Sequence, residues 1–179
     1  MHLRSMQESR EVVGSAAERV EAGARFDTFV EEEHVRLFKA LYFVTGSRED
    51  AEDLAQDAFV KLWERWERID EIEDLTAYLY RVALNGFRMR RRRLAMAIRK
   101  QLPGPEERDG YVEAEMRVDV RRLLLEVTPR QRAALLLVDL LGYPSEQAAE
   151  ILRVRPSTVR NLVSQGRHAL RATEEVRDA

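Results

Sequence analysis

The chain has 179 residues, 45% of them hydrophobic, enough to bury one core or two small ones, and its formal charge is only −2. It has no cysteine, which excludes disulfides, thiolate metal sites and cysteine nucleophiles. The three histidines, His2, His34 and His168, lie far apart with no metal-ligand spacing, no apolar run approaches the roughly 20 residues of a membrane span, and the N-terminus lacks the apolar stretch of a signal peptide. These features predict a soluble cytoplasmic protein without metal, cofactor or membrane insertion.

Residues 1–24 carry no strong pattern and are expected to form a loosely ordered extension. From there on the periodicity is helical. Phe26, Phe29, Val30, Leu37, Leu41 and Val44 recur at helical spacing, and Gly46 is placed to end that helix in a left-handed conformation. Ser47, with Asp50 three residues later, starts the next helix. In it Ala51, Leu54, Ala55, Ala58, Leu62 and Trp66 make the buried stripe, while Glu49, Asp53, Gln56, Asp57 and Glu64 fall on another face. A further helix carries Tyr78, Tyr80, Asn85 and Phe87 into the run Arg90–Arg93.

Between Ala97 and Glu115 the periodicity fails, and Pro103, Gly104, Pro105 and Gly110 punctuate the stretch, which reads as a flexible linker between two helical domains. Fully extended at about 3.4 Å per residue it reaches roughly 60 Å. Helical spacing resumes at Val120, Leu123, Leu124 and Val127. Glu146 to Leu152 predicts a short helix, and a brief turn leads to a second one beginning near Pro156 or Ser157. No segment shows the alternation of a strand.

The near-neutral total conceals a strong separation of charge. Residues 27–74 hold fifteen acids against six bases, residues 86–100 hold seven bases and no acid, and residues 153–171 hold five arginines and no acid. The acidic segment therefore suits a basic partner and the two cationic ones suit phosphates. Aromatics beside arginines, as at Tyr78, Arg81, Phe87, Arg88, Arg91 and Arg92, are what opened DNA requires, because bases stack on rings while cations follow the backbone. A core role for Tyr78 or Tyr80 fits the same spacing. In the C-terminal pair of helices the second would enter a major groove with its N-terminal residues nearest the bases. Arg160 and Asn161 suit bidentate contacts to purine edges, Ser157 and Thr158 suit base or phosphate, and Arg155, Arg167 and Arg171 suit phosphates. A helical hairpin with a solvated charged face would give the same pattern.

These segments together resemble a known family. DAEDLAQDAFVKLW resembles the region 2 helix by which sigma factors dock on the RNA polymerase clamp, AYLYRVALN followed by arginines resembles their minus-ten helix, and TPRQRAALLLVDLLGYPSEQAAEIL followed by STVR resembles region 4. The chain is similar to group four, extracytoplasmic-function sigma factors of the sigma-70 family, over roughly Phe26–Arg93 and Val118–Arg171. The resemblance implies an all-α fold with a region 2 bundle over 25–96, a linker over 97–115 and a region 4 helix-turn-helix domain over 116–179. It implies polymerase docking by Asp53, Gln56 and Asp57, minus-ten recognition by Tyr78, Arg81, Asn85, Arg88, Arg91 and Arg92, and minus-thirty-five recognition by Arg155, Ser157, Thr158, Arg160, Asn161 and Arg167. The implied partners are core RNA polymerase, through its clamp helices and flap, and promoter DNA, with an anti-sigma protein as a further partner common in the family. No chemistry is implied, and Asp53 with Asp57 lacks the third ligand that a metal-dependent nuclease needs. A stand-alone helix-turn-helix regulator would account for the C-terminal half but leaves the acidic helix and the aromatic-arginine helix without a purpose.

Three features depart from the family pattern. Asp70, Glu71, Glu73 and Asp74 precede the minus-ten helix, where acids facing DNA would repel phosphate. Leu162 and Gln165 stand where recognition helices often carry cations, and Arg153 occupies a turn position usually held by glycine, at a cost on the order of 1 kcal/mol if its backbone is left-handed.

Overall fold

The computed structural model describes the backbone of residues 2–99 and 126–177, and the side chains of residues 20–96 and 126–172. Among the described residues every regular element is helical. The N-terminal bundle comprises α1 (His2–Thr45), α2 (Arg48–Trp63), a 3-10 segment (Trp66–Glu71) and α3 (Leu75–Arg99). The C-terminal module comprises α4 (Pro129–Leu135), a π-helical turn (Leu136–Leu140), α5 (Ser145–Leu152) and α6 (Pro156–Arg177). Apart from residues 97–99, which continue α3, the segment read as a linker lies outside the described residues, as do Val120, Leu123 and Leu124.

Helix α1 begins at His2 and runs unbroken to Thr45. Its part before Phe26 has no proline and is rich in Glu, Arg and Ala, so local propensity sustains a helix without a long apolar stripe.

The bundle core is Leu37, Leu41 and Val44 of α1, Ala51, Leu54, Ala58 and Leu62 of α2, and Leu79, Tyr80, Ala83 and Leu84 of α3, all nearly excluded from solvent. Gly46 ends α1 at φ 75°, and its amide reaches back to the Tyr42 carbonyl at 2.8 Å. The Ser47 hydroxyl accepts the Asp50 amide at 3.3 Å and starts α2. Trp66, expected on the α2 stripe, lies instead in the 3-10 segment, because α2 stops at Trp63. It is still buried: its indole donates to the Ala22 carbonyl at 2.7 Å and meets Phe26 edge-on at 4.9 Å, tying the segment back to α1.

In the C-terminal module Thr128 and Gln131 form a reciprocal capping box at the start of α4, with Pro129 in the first turn. Gly166 of α6 faces α4 so closely that a Cβ there would lie 2.8 Å from Leu135 Cδ1, which is why glycine stands at the crossing. Arg153, between α5 and α6, is left-handed at φ 53° and ψ 51°, the conformation suspected from sequence.

The two modules pack on one another, α1 against α4 and α3 against α5. Arg132 of α4 is buried to 7% exposure beside Gly46, and burial pulls its guanidinium pKa below the ordinary value, with Arg91 of α3 adding to the effect. No sequence pattern announced this contact.

Two outcomes follow from these features. Arg153→Gly removes a left-handed non-glycine residue, and chemical denaturation should show the C-terminal module stabilised by about 1 kcal/mol; an unchanged midpoint would mean that the arginine side chain compensates. Tyr80 is buried, and burial first, then Glu33 and Tyr143, pushes its pKa from 10.0 up to about 12. The folded state thus resists ionisation relative to the unfolded chain, so stability is whole below pH 10 and is lost as pH rises towards 12, by about 2–3 kcal/mol. Tyr80→Phe should flatten the stability profile between those two pH values, and a variant with the wild-type slope would assign the alkaline loss to other groups.

Candidate nucleic-acid and protein interfaces

On α2, Asp53, Gln56 and Asp57 all face solvent on one side of the helix, as their spacing requires. The same face continues along α2 to Val60, 57% exposed, and Trp63, 49% exposed. An exposed tryptophan beside two carboxylates has the composition of a protein-binding patch, in which large aromatics carry much of the affinity. Sequence reading missed Val60 and Trp63, although the three- and four-residue steps from Asp53 through Gln56 and Asp57 lead to both. Asp53 also has an intrachain partner: Arg90 of α3 places Nη1 3.1 Å from Asp53 Oδ2 and Nη2 3.1 Å from Asp50 Oδ1. The first arginine of the run therefore braces α3 to α2. Exposed pairs of this kind contribute about 0–1 kcal/mol, small enough for an incoming partner to exchange.

On α3, Tyr78, Arg81, Asn85, Arg88 and Arg92 follow one another at steps of three or four along one side, with Arg91 adjacent. Tyr80 is in the core, and Tyr78 is half-buried against its edge. Two guanidinium groups approach the Tyr78 ring, Arg81 at 5.0 Å and Arg65 at 6.0 Å from its centroid, and Arg91 sits 5.9 Å from the Phe87 ring. Each such contact holds an arginine over a ring without consuming its hydrogen-bond donors.

The acids before α3 do other work than the sequence suggested. Asp74 is the N-cap of α3, its Oδ1 accepting the Ala77 amide at 2.8 Å. Glu71 takes two hydrogen bonds from Arg68 at 3.0 and 2.9 Å, and Asp70 lies 3.8 Å from Arg25. Three of the four carboxylates thus have cationic or capping partners within the chain, which reduces the expected repulsion of phosphate.

In the C-terminal module Arg155, Ser157, Arg160, Asn161 and Arg167 are exposed and Thr158 is half-buried, with all but Arg155 on α6. The structure brings Ser157, Thr158, Arg160 and Asn161 together on the first turns of α6. Arg160 donates to Glu146 of α5 at 3.1 Å, an ion pair that orients its guanidinium across the two helices. Arg167 lies nearly two turns further on and grips Asp139 of the π-helical turn through both a 3.1 Å Nε bond and an Nη2 contact, which hold its pKa above the ordinary value. Arg160, Arg167, His168 and Arg171 share one shallow cleft with Ser145. Gln165 pairs with Gln131 at 3.4 Å, and Leu162 borders a cavity also lined by α3 residues. Among the described residues no group of acidic or histidine side chains could hold a metal ion, and no helix is long and apolar enough to cross a membrane.

A helical bundle with an acid-and-aromatic face and an arginine-rich helix, followed by a helix-turn-helix, defines a DNA-directed adaptor class. The family profile of Sigma-70 region 2 matches residues 29–96, and that of Sigma-70, region 4 matches residues 117–170. The chain belongs to the sigma-70 family, in its extracytoplasmic-function group. It is 27% identical over 157 residues to the ECF RNA polymerase sigma factor SigE of Mycolicibacterium smegmatis, covering 82% of this chain but only 60% of that relative. It is 23% identical to the ECF RNA polymerase sigma factor SigW of Bacillus subtilis, covering 80% and 84% of the two chains. Its fold is that of the sigma factor RpoE, solved in complex with the anti-sigma factor NepR from Bartonella quintana, with a TM-score of 0.68 at 21% identity over 85% of this chain and 98% of that one. CnrH, solved with the cytosolic domain of CnrY, matches with a TM-score of 0.59 at 22% identity over 84% and 88% of the two chains.

Proposed function

We propose that this protein is a promoter-specificity subunit that binds core RNA polymerase in the cytoplasm, brings it to promoters and helps open the duplex, without chemistry of its own. One observation carries the reading: a protein-binding face on α2, an aromatic-arginine face on α3 and a helix-turn-helix occur on a single chain in the order of the two matched family regions. In this reading Asp53, Gln56, Asp57, Val60 and Trp63 meet the polymerase clamp helices, and the C-terminal module meets the flap. Carboxylates there pair with clamp arginines, exchanging the Arg90 brace, while Trp63 supplies desolvated contact area.

Promoter contact divides between the modules. Tyr78, Arg81, Asn85, Arg88, Arg91 and Arg92 take the minus-ten strand, with bases stacking on Tyr78 and phosphates meeting the arginines. Arg160 and Asn161 read base edges at the minus-thirty-five element, Ser157 and Thr158 contact base or phosphate, and Arg155 and Arg167 hold backbone. The sigma factor RpoE, a structural neighbour solved in complex with the anti-sigma factor NepR, supports a protein inhibitor of this chain as well. A stand-alone regulator would have no use for the α2 face.

Run-off transcription with bacterial core polymerase and a promoter library tests the reading: initiation should depend on the protein and select a subset of promoters. Reversing Asp53 and Asp57 to Arg, or replacing Trp63 by Ala, should weaken polymerase binding by ten-fold or more (about 1.4 kcal/mol) while the fold persists; unchanged affinity in both would remove α2 from the docking surface. Arg160→Ala should reduce discrimination at the upstream element by about 1–3 kcal/mol. An equal loss on every sequence would make Arg160 a phosphate contact.

A further inference from the structure

A cavity of about 320 Å³ lies where α3, α4, α5 and α6 meet. That is within the range, about 300–1,000 Å³, in which proteins enclose small ligands. Much of its lining is aliphatic. Leu84 of α3, Ala133 of α4 and Ile151 of α5 are nearly excluded from solvent, and Leu152, Val154 and Leu162 are half-buried beside them.

The edge of the cavity is of the opposite character. Four exposed arginines stand there, Arg88, Arg91 and Arg92 from α3 and Arg130 from α4, and no carboxylate is among the lining residues. Elsewhere the chain pairs its exposed arginines with acids, Arg90 with Asp50 and Asp53, Arg160 with Glu146 and Arg167 with Asp139. Among the described residues none of the four at the cavity has such a partner. Arg91 instead sits 5.9 Å from the Phe87 ring, which leaves its N–H donors available. Four guanidinium groups around an apolar hollow set a demand that few molecules meet. A bare inorganic anion neutralises the charges and leaves the hollow unfilled, whereas a neutral apolar molecule fills it and leaves the charges facing one another. A nucleic-acid backbone brings charge without an aliphatic part, so the promoter reading does not account for the lining.

We propose that this cavity is a binding site for an amphipathic organic anion, a medium-length aliphatic chain ending in one carboxylate or phosphate. The chain packs against Leu84, Ile151 and Leu162, and the head accepts hydrogen bonds from Arg88 and Arg130 at the edge, in the paired geometry that guanidinium groups offer to such oxygens. Apolar burial supplies most of the affinity and the arginines select the anion. The site needs only the cavity and its edge, and Arg130 and Leu162 take no part in the promoter contacts assigned above.

Calorimetric titration of the full-length protein with hexanoate, octanoate and decanoate, each as monomer, tests the proposal. Affinity should rise about four-fold per methylene until the cavity is full. Octanol, which lacks the charge, and inorganic phosphate, which lacks the chain, should bind at least ten-fold more weakly than octanoate. Leu162→Phe, which fills the cavity, and Arg130→Gln, which removes an exposed cation outside α3, should each weaken octanoate at least five-fold while the circular dichroism stays that of the parent. Because Arg130 is exposed, its replacement reports on binding even if Leu162→Phe disturbs the fold. The absence of saturable binding by all three carboxylates overturns the site, as does octanol binding as tightly as octanoate or an octanoate affinity that Arg130→Gln leaves unchanged. Vesicles of phosphatidylglycerol separate the two sources of such an anion: the protein should remain in solution beside them, and retention on vesicles without binding of the monomeric carboxylates would overturn the cavity in favour of a membrane surface.

Discussion

The buried stripe shared by α1, α2 and α3 is the constraint from which the rest of the molecule follows. Leu41, Leu62, Leu79 and Tyr80 exclude solvent almost completely, so each helix has one rotational setting in which its apolar residues meet the others. That setting turns the carboxylates of α2 and the arginines of α3 outward. Burying an unpaired charge costs several kcal/mol, whereas each exposed ion pair contributes at most about 1 kcal/mol, so the core fixes where the charges stand and their mutual attraction does not. Arg90, between Asp50 and Asp53, marks the line where the two faces meet.

Asp74 occupies the other junction. As N-cap it determines where α3 begins, hence the phase of every residue from Tyr78 to Arg92, and its second oxygen is engaged by α5. A single carboxylate thus starts the aromatic-arginine helix and ties the C-terminal module to it. Read from sequence it was one acid among four in a loop expected to repel phosphate. The distinction between a repelling and a capping carboxylate depends on the helix start lying immediately after Asp74, one residue's difference in register, and local pattern does not resolve helix ends to that accuracy.

Legibility followed the range of the interactions involved. The end of α1 and the start of α2 could be read because Gly46 and Ser47 act on groups within a few residues of themselves, and the left-handed Arg153 could be suspected because a turn position is a local property. The exposed acidic face of α2 could be read from its charges; the exposure of Val60 and Trp63 beside it was hidden because apolar residues in a helix are ordinarily assigned to the core. The course of α1 before Phe26 carries no apolar periodicity by which sequence is read. Packing of α3 on α5 was beyond reach altogether, since it pairs Asp74 with Gln147 across 73 positions of sequence through side chains that carry no motif.

In the C-terminal module α6 crosses α4 so closely that a Cβ at Gly166 would displace Leu135, and in either module loss of a large core side chain would cost about 2–5 kcal/mol. Between the modules the packing is of a different kind: α1 meets α4 and α3 meets α5, Asp74 accepts a hydrogen bond from Gln147, and a cavity edged by arginines stands beside them. Hydrogen bonds that water can replace contribute about 1 kcal/mol each, so apolar burial outweighs them at this junction as it does in the cores.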